Sequence, residues 1–275
     1  MAIKLIALDI DGTLINSAME ITQGTVCALT AAAERGIHIV LSTGRPAMEC
    51  DHILEKLSCI GYINSCTGAQ VVNAKTWDVI AGRYIPIDEA KRLYEKIREL
   101  PLMVCAFDPK TGQAHDSAPV LARCISHSPP HEAEHLLRYH VGEDDFEAYL
   151  DNLDRIVKFY MPCFTIETIE EVKRRMIGEP YTVFQCGPKD VEICPVGADK
   201  GSGLQMLAEA LGINPSEVMA IGDSENDISM LRYAGLPVAM GNGSEEVKAL
   251  AKYITDDNDH DGVAKAVNMV LEGTL

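Results

Sequence analysis

Three apolar runs in this chain stop in the same way, on carboxylate or hydroxyl residues with a glycine close by. They are Leu5-Ile-Ala-Leu-Asp9-Ile-Asp11-Gly12-Thr13, Ile39-Val-Leu-Ser42-Thr43-Gly44-Arg45 and Val218-Met-Ala-Ile-Gly222-Asp223-Ser224-Glu225-Asn226-Asp227. Aliphatic runs without polar alternation suit strands buried on both faces, as in a parallel sheet covered by helices. In such a sheet the carboxyl ends of the strands share one edge, where ligands bind. The acidic residues at the two ends of the chain are therefore expected to meet.

The spacing around these runs supports the same class. Residues 22–35 carry apolar positions at helical intervals, with Thr22 placed to cap and Gly36 just beyond. A β-branched run at 37–41, a helix over 46–57 and a strand at 60–63 follow. The last third repeats the grammar. It predicts a helix at 201–211 closed by Gly212, a strand at 218–221, a helix at 226–233, a strand at 236–240 and helices at 244–251 and 261–271. Strand–helix–strand alternation implies right-handed crossovers and a Rossmann-like α/β core. Between residues 83 and 189 the order is less regular and turns are dense, which predicts an inserted α+β domain. The expected division is 1–82 and 190–275 for the core, with 83–189 as the insert. At 275 residues the chain has length for about two domains on a prior of roughly 150 residues each.

Charge narrows the partners. With 24 Lys+Arg against 41 Asp+Glu, the formal charge of −17 opposes binding to nucleic acid or anionic membrane. Only 5% of residues are aromatic, so the core is expected to be aliphatic and Ala-rich. No apolar run approaches the ~18 residues of a spanning helix. The opening residues lack the layout of a secretory signal. Nine cysteines without a C-x-x-C pair fit reduced, mostly buried thiols and a cytoplasmic location.

Converging carboxylates need a counter-charge. Two unit charges about 4 Å apart repel by roughly 4 kcal/mol at an effective dielectric near 20. Hard oxygen ligands with neither His nor Cys among them point to Mg²⁺, which is commonly shared with substrate phosphate. Lys200 adds a second clue. A cation at a helix start opposes the macrodipole, and its place beside Gly201 makes sense if it reaches an anion, with Asp199 capping the helix.

The motifs Asp9-Ile-Asp11-Gly-Thr-Leu, Ser-Thr43-Gly-Arg-Pro, Asp-Lys200-Gly-Ser-Gly-Leu and Gly-Asp223-Ser-Glu-Asn226-Asp227 resemble, in order and spacing, the four motifs of the haloacid dehalogenase superfamily. The large insert between the second and third looks like that of the Cof-type, subclass IIB, phosphatases. Val238-Ala-Met-Gly-Asn-Gly and Asp261-Gly-Val-Ala fit the same group. The resemblance implies a phosphatase acting on small phosphorylated metabolites, sugar phosphates first, through an aspartyl-phosphate. It implies Asp9 as nucleophile and Asp11 as general acid and base. Mg²⁺ would be held by Asp9, Asp223 and the main chain of Asp11, with Asp227 in support. Thr43, Gly44, Lys200, Asn226 and the backbone N–H of Ile10 would bind phosphate. The insert would act as a cap that sets specificity. Where the family commonly has Asn-Gly-Ala after the third strand, this chain has Cys66-Thr67-Gly68-Ala69.

Three other readings compete. His131-Glu132-x-x-His135 matches the zinc-peptidase pattern, but Ser128-Pro-Pro places it at a helix start, without a clear third ligand. A signalling receiver also uses Asp and Mg²⁺, yet lacks both an insert and an acid two residues after the acceptor. A phosphomannomutase-like mutase would isomerise a sugar phosphate without releasing inorganic phosphate.

Overall fold

Leu5, Ile6, Ala7 and Leu8 are all fully buried, as a strand with neighbours on both sides and helices on both faces requires. They form β1 (Leu5–Leu8) of the computed structural model, which describes residues 2–110, 113–116, 137, 141–163, 165–187 and 189–275. The chain divides into two compact units, Met1–Gly82 with Ala198–Leu275, and Arg83–Gly197.

In the first unit β1 is followed by α1 (Gln23–Glu34), β2 (His38–Ser42), α2 (Asp51–Lys56), β3 (Ile60–Ser65), β4 (Gln70–Asn73) and β5 (Val79–Gly82). After the insert come α3 (Lys200–Leu211), β6 (Val218–Gly222), α4 (Ile228–Tyr233), β7 (Leu236–Ala239), α5 (Glu245–Leu250), β8 (Tyr253–Ile254) and α6 (Gly262–Glu272). The sheet order is β8-β7-β6-β1-β2-β3-β4-β5. Pairing is parallel from β8 through β3, and antiparallel for β3–β4 and β4–β5. The three strands with polar ends, β6, β1 and β2, are direct neighbours.

The period-2 alternation of β1 divides the core into two layers. Ile6 and Leu8 join Leu29 of α1 and Val263 and Val267 of α6 on one face. Leu5 and Ala7 join Leu204 and Leu207 of α3 and Met230 of α4 on the other. Burying each such Leu or Ile contributes about 1.5–3 kcal/mol. Caps fix where the helices begin. Thr22 accepts from the Thr25 N–H at 3.2 Å, and Asp199 forms a capping box with Ser202. Gly212 closes α3 in the left-handed conformation.

Two expected helices are shorter, each entered through a 3₁₀ turn: Ala47–Cys50 before α2, and Glu225–Asp227 before α4. Cys27 is exposed on α1, whereas Cys50, Cys66, Cys105, Cys163 and Cys194 are buried thiols. Among the described residues no helix is long and apolar enough to cross a membrane.

The insert is built on an antiparallel sheet in the order Tyr181–Gly187, Asp190–Pro195, Lys158–Pro162, Cys105–Phe107, Gln113–His115. Helices Ile87–Ile97, Glu143–Asp151 and Ile166–Arg175 accompany it. Its core includes Leu93, Phe146, Phe159 and Ile193. The chain leaves this unit after Gly197 and not after 189, because Asp190–Pro195 pairs with the insert's own strands. Lys158 and Glu192 form a buried ion pair 2.5 Å apart within it. His131 and His135 lie outside the described residues.

Candidate active site

Strand register delivers the site. Leu8 pairs with Ile221 on one side and Leu41 on the other, so the residues that follow these strands emerge together. The Asp9 backbone N–H donates to the Ile221 carbonyl at 3.1 Å, extending the ladder by one residue and fixing where the side chain points. Asp9 is 4% exposed.

Lys200 meets it from the first turn of α3. Its side chain is fully buried, and Nζ donates to Asp9 Oδ1 at 2.5 Å, Asp227 Oδ1 at 2.6 Å and Asn226 Oδ1 at 3.0 Å. All three ammonium donors are thus used. Close packing holds this turn. A Cβ on Gly201 would stand 2.4 Å from the Ser229 carbonyl oxygen, and one on Gly203 would stand 1.9 Å from Asn64 Oδ1. Asn64 Nδ2 donates to the Lys200 carbonyl at 2.8 Å and to Ser42 Oγ at 2.9 Å, tying β3 to β2 and α3.

Asp227 is fully buried and its second oxygen accepts from the Asp223 and Ser224 N–H groups at 3.0 and 3.1 Å. It thereby shapes the loop that presents Asp223. Gly222 makes room, since a Cβ there would stand 2.5 Å from the Asp227 carboxyl carbon. Asp223 accepts from Thr13 Oγ1 at 3.0 Å. Gly12, with φ +80°, permits the approach, since a Cβ would stand 2.6 Å from an Asp223 oxygen. Asn242 Nδ2 secures the Gly12 carbonyl at 2.8 Å.

Carboxylate oxygens of Asp9, Asp223 and Asp227 all lie within 4.8 Å of one another. Burial pushes the Asp9 carboxyl up to about 7, with Lys200 opposing and Asp227 adding to the rise. The Ile10 backbone N–H bonds this same carboxyl and favours its ionised form. Burial also raises Asp223, which comes within hydrogen-bonding reach of Asp9. For Lys200 burial acts to lower the pKa, but the Asp9 and Asp227 charges outweigh it and the net shift is upward. Lys200 pairs with two of the three clustered carboxyl groups and no ammonium donor is left for Asp223, so the cluster is short of positive charge. Its donor set, oxygen without His or Cys, fits a hard divalent cation.

Asp11 stands apart from that cluster. Its exposed carboxylate is held by Arg45 through Nη2 at 2.6 Å and Nε at 3.2 Å. Thr43 is buried, and its Oγ1 accepts from the Arg45 N–H at 3.1 Å, leaving the hydroxyl proton free to point elsewhere. Gly44 follows, with Thr67 Oγ1 beside it. The Asn226 amide nitrogen makes no hydrogen bond among the described residues. Sequence reasoning did not single out Arg45, Thr13, Asn64 or Asn242 as site residues. Thr13 and Arg45 belong to the first and second motifs, and Asn242 to the Gly-Asn-Gly tail; nothing local distinguishes Asn64.

A buried carboxylate at the edge of a parallel sheet, gripped by an ammonium and flanked by two more carboxylates, defines a phosphoryl-transfer enzyme on a Rossmann-like core. Residues 6–267 match the haloacid dehalogenase-like hydrolase family, and the chain belongs to it. It is 28% identical to 5-amino-6-(5-phospho-D-ribitylamino)uracil phosphatase YcsE of Bacillus subtilis, covering 96% of this chain and 94% of that one. A haloacid dehalogenase-like hydrolase from Bacteroides thetaiotaomicron superposes with a TM-score of 0.83 at 31% identity, covering 98% of this chain and 99% of the other. The subclass IIB sugar phosphatase BT4131 superposes with a TM-score of 0.75 at 26% identity, over 99% of this chain and all of its own. The chain is a phosphoric monoester hydrolase.

Proposed function

We propose that this hydrolase is a Mg²⁺-dependent phosphatase of small phosphorylated metabolites, foremost sugar phosphates, acting through an aspartyl-phosphate on Asp9. The observation that carries the reading is the Lys200 ammonium shared by Asp9, Asn226 and Asp227 beside Asp223. The likeness to a sugar phosphatase and to a phosphatase of a ribityl phosphate supports the substrate class.

Asp9, Asp223 and the main chain of Asp11 would hold Mg²⁺, with Asp227 anchoring the loop. When bound, the ion supplies positive charge against the phosphoryl oxygens and the clustered carboxylates. The Asp9 carboxylate attacks phosphorus, and the bond to the leaving oxygen breaks as Asp11 protonates that oxygen. Water then attacks the phosphorus of the aspartyl-phosphate, Asp11 takes its proton, and Asp9 is restored. The exposed Asp11 carboxyl draws the proton it delivers from solvent, and its pair with Arg45 opens for it to reach the leaving oxygen. Thr43, Gly44, Lys200 and Asn226 bind the phosphoryl oxygens, the Asn226 amide nitrogen being unengaged among the described residues. Ile10 contributes its N–H, which in the resting site serves Asp9. Residues 83–197 are assigned the choice of substrate.

The test is a panel of phosphorylated metabolites assayed for inorganic phosphate. Release is expected with Mg²⁺, falling to background on chelation with EDTA and returning when Mg²⁺ is added back. Release unaffected by EDTA would remove the metal from the reading, and isomerised sugar phosphate without free phosphate would make the enzyme a mutase. Asp11→Asn is expected to slow alkyl phosphates by about 10²–10⁴-fold. Aryl phosphates, whose leaving group needs little protonation, should lose much less. Equal losses on both would deny Asp11 the role of acid.

A further inference from the structure

After β3 the chain turns through three consecutive left-handed residues, Cys66 (φ 49°), Thr67 (φ 55°) and Gly68 (φ 82°). Only the last is suited to it. A β-branched residue in this region is strained, and such strain persists where the surroundings enforce it. Here they do. The Cys66 N–H donates to the Arg45 carbonyl and the Thr67 N–H to the Thr43 carbonyl, each at 3.0 Å. On the other side Gly68 is pressed against α3, where a Cβ would stand 1.8 Å from the Asp199 carbonyl oxygen. The turn cannot relax without moving Thr43, Arg45 or the start of the helix that carries Lys200.

The result is a side chain in a particular place. Thr67 is half-buried, and its Oγ1 lies 3.5 Å from where a Cβ on Gly44 would stand. Its hydroxyl makes no hydrogen bond among the described residues. The turn folds back over the end of β2, with the Thr67 N–H on the Thr43 carbonyl, so the hydroxyl sits beside Gly44 at the margin of the phosphoryl site. The oxygens of a phosphoryl group on Asp9 are already assigned donors on Thr43, Gly44, Lys200 and Asn226, which leaves the Thr67 hydroxyl for what lies next to that group. It suits the organic remainder of the substrate.

We propose that Thr67 is a substrate-binding residue whose hydroxyl hydrogen-bonds a hydroxyl of the leaving group, and so favours sugar or alditol phosphates over apolar ones. The proposal rests on the phosphatase reading. An apolar leaving group seated there would bury the Thr67 hydroxyl unpaired, whereas a polyol satisfies it.

The experiment compares wild type, Thr67→Val, Thr67→Ser and Thr67→Gly on pentose and hexose phosphates and on p-nitrophenyl phosphate. Thr67→Val keeps the shape and the strain but loses the hydroxyl. Its kcat/KM should fall about 3- to 10-fold on sugar phosphates and stay unchanged on the aryl ester. Thr67→Ser should retain both activities. Thr67→Gly relieves the backbone, so it should melt a few degrees higher while losing sugar-phosphate activity as the Val variant does. Equal losses on both substrate classes, or no loss on either, would overturn the assignment. Wild-type protein that hydrolyses neither class would instead sink the phosphatase reading.

Discussion

Asp9→Asn is expected to abolish phosphate release, by at least roughly four orders of magnitude, while leaving the protein folded. The substitution keeps size and shape but removes the only carboxylate here that is both buried and assigned to attack phosphorus. Lys200 retains Asp227 and Asn226, so the ammonium is not orphaned. The fold should gain. Burial holds the Asp9 carboxyl up near 7, far above its ordinary 3.8, so ionising it inside the protein costs folding free energy that Asn does not incur. Metal-free Asp9→Asn should therefore melt at or above the wild-type temperature at pH 8. Phosphate release by a colorimetric assay and thermal unfolding by circular dichroism check both halves. Turnover that survives the substitution denies Asp9 the nucleophile's role. A large drop in melting temperature would mean that its charge is needed structurally.

How far this site could be read from the sequence depends on which contacts are local. Strands β1, β2 and β6 announce themselves as unbroken aliphatic runs, because both of their faces are buried. Asp199 and Gly212 are legible as the limits of α3, since capping is settled within one turn of helix. The convergence of Asp9, Asp223 and Asp227 follows from a rule about parallel sheets, whereas Lys200 is marked separately, as a cation set against its helix start. What the rule does not contain is lateral order. That β2 borders β1 brings Arg45 to Asp11, and that β3 borders β2 brings Asn64 to Ser42 and the Lys200 carbonyl. An Arg and an Asn give no sign of such partners in their own neighbourhoods. The run Asp190–Pro195 is ambiguous for the same reason, since its apolar residues would suit a strand in either unit. Left-handed Cys66 and Thr67 are the opposite case, a backbone state that their residue types argue against and that only surrounding hydrogen bonds impose.

Lys200→Met should be the most damaging single change in the core unit, and its damage should depend on pH. The wild-type ammonium is fully buried and satisfied by three acceptors, two of them carboxylates. Methionine fills similar space but leaves Asp9 and Asp227 buried without a counter-ion, a loss of about 3–5 kcal/mol for a broken buried pair. The protein's escape is to protonate. Lys200 is what pulls the Asp9 carboxyl down against burial, so without it the folded-state pKa climbs further. A carboxyl whose folded pKa exceeds its unfolded one binds a proton on folding, so its stabilising contribution is present at low pH and is lost as pH rises through the folded value. In metal-free wild type that window runs from 3.8 to about 7; in Lys200→Met its upper limit moves higher. The two proteins should therefore melt closest together near pH 5 and farthest apart near pH 8. Mg²⁺ should recover part of the difference by supplying the missing positive charge. Activity should not follow. The phosphoryl group loses a positioned cation, and removal of one such donor costs about 10²–10³ in kcat even where the fold is intact. A pH-independent gap in melting temperature would show that Lys200 supports the fold through packing alone, and full activity with saturating Mg²⁺ would show that it does not touch phosphate.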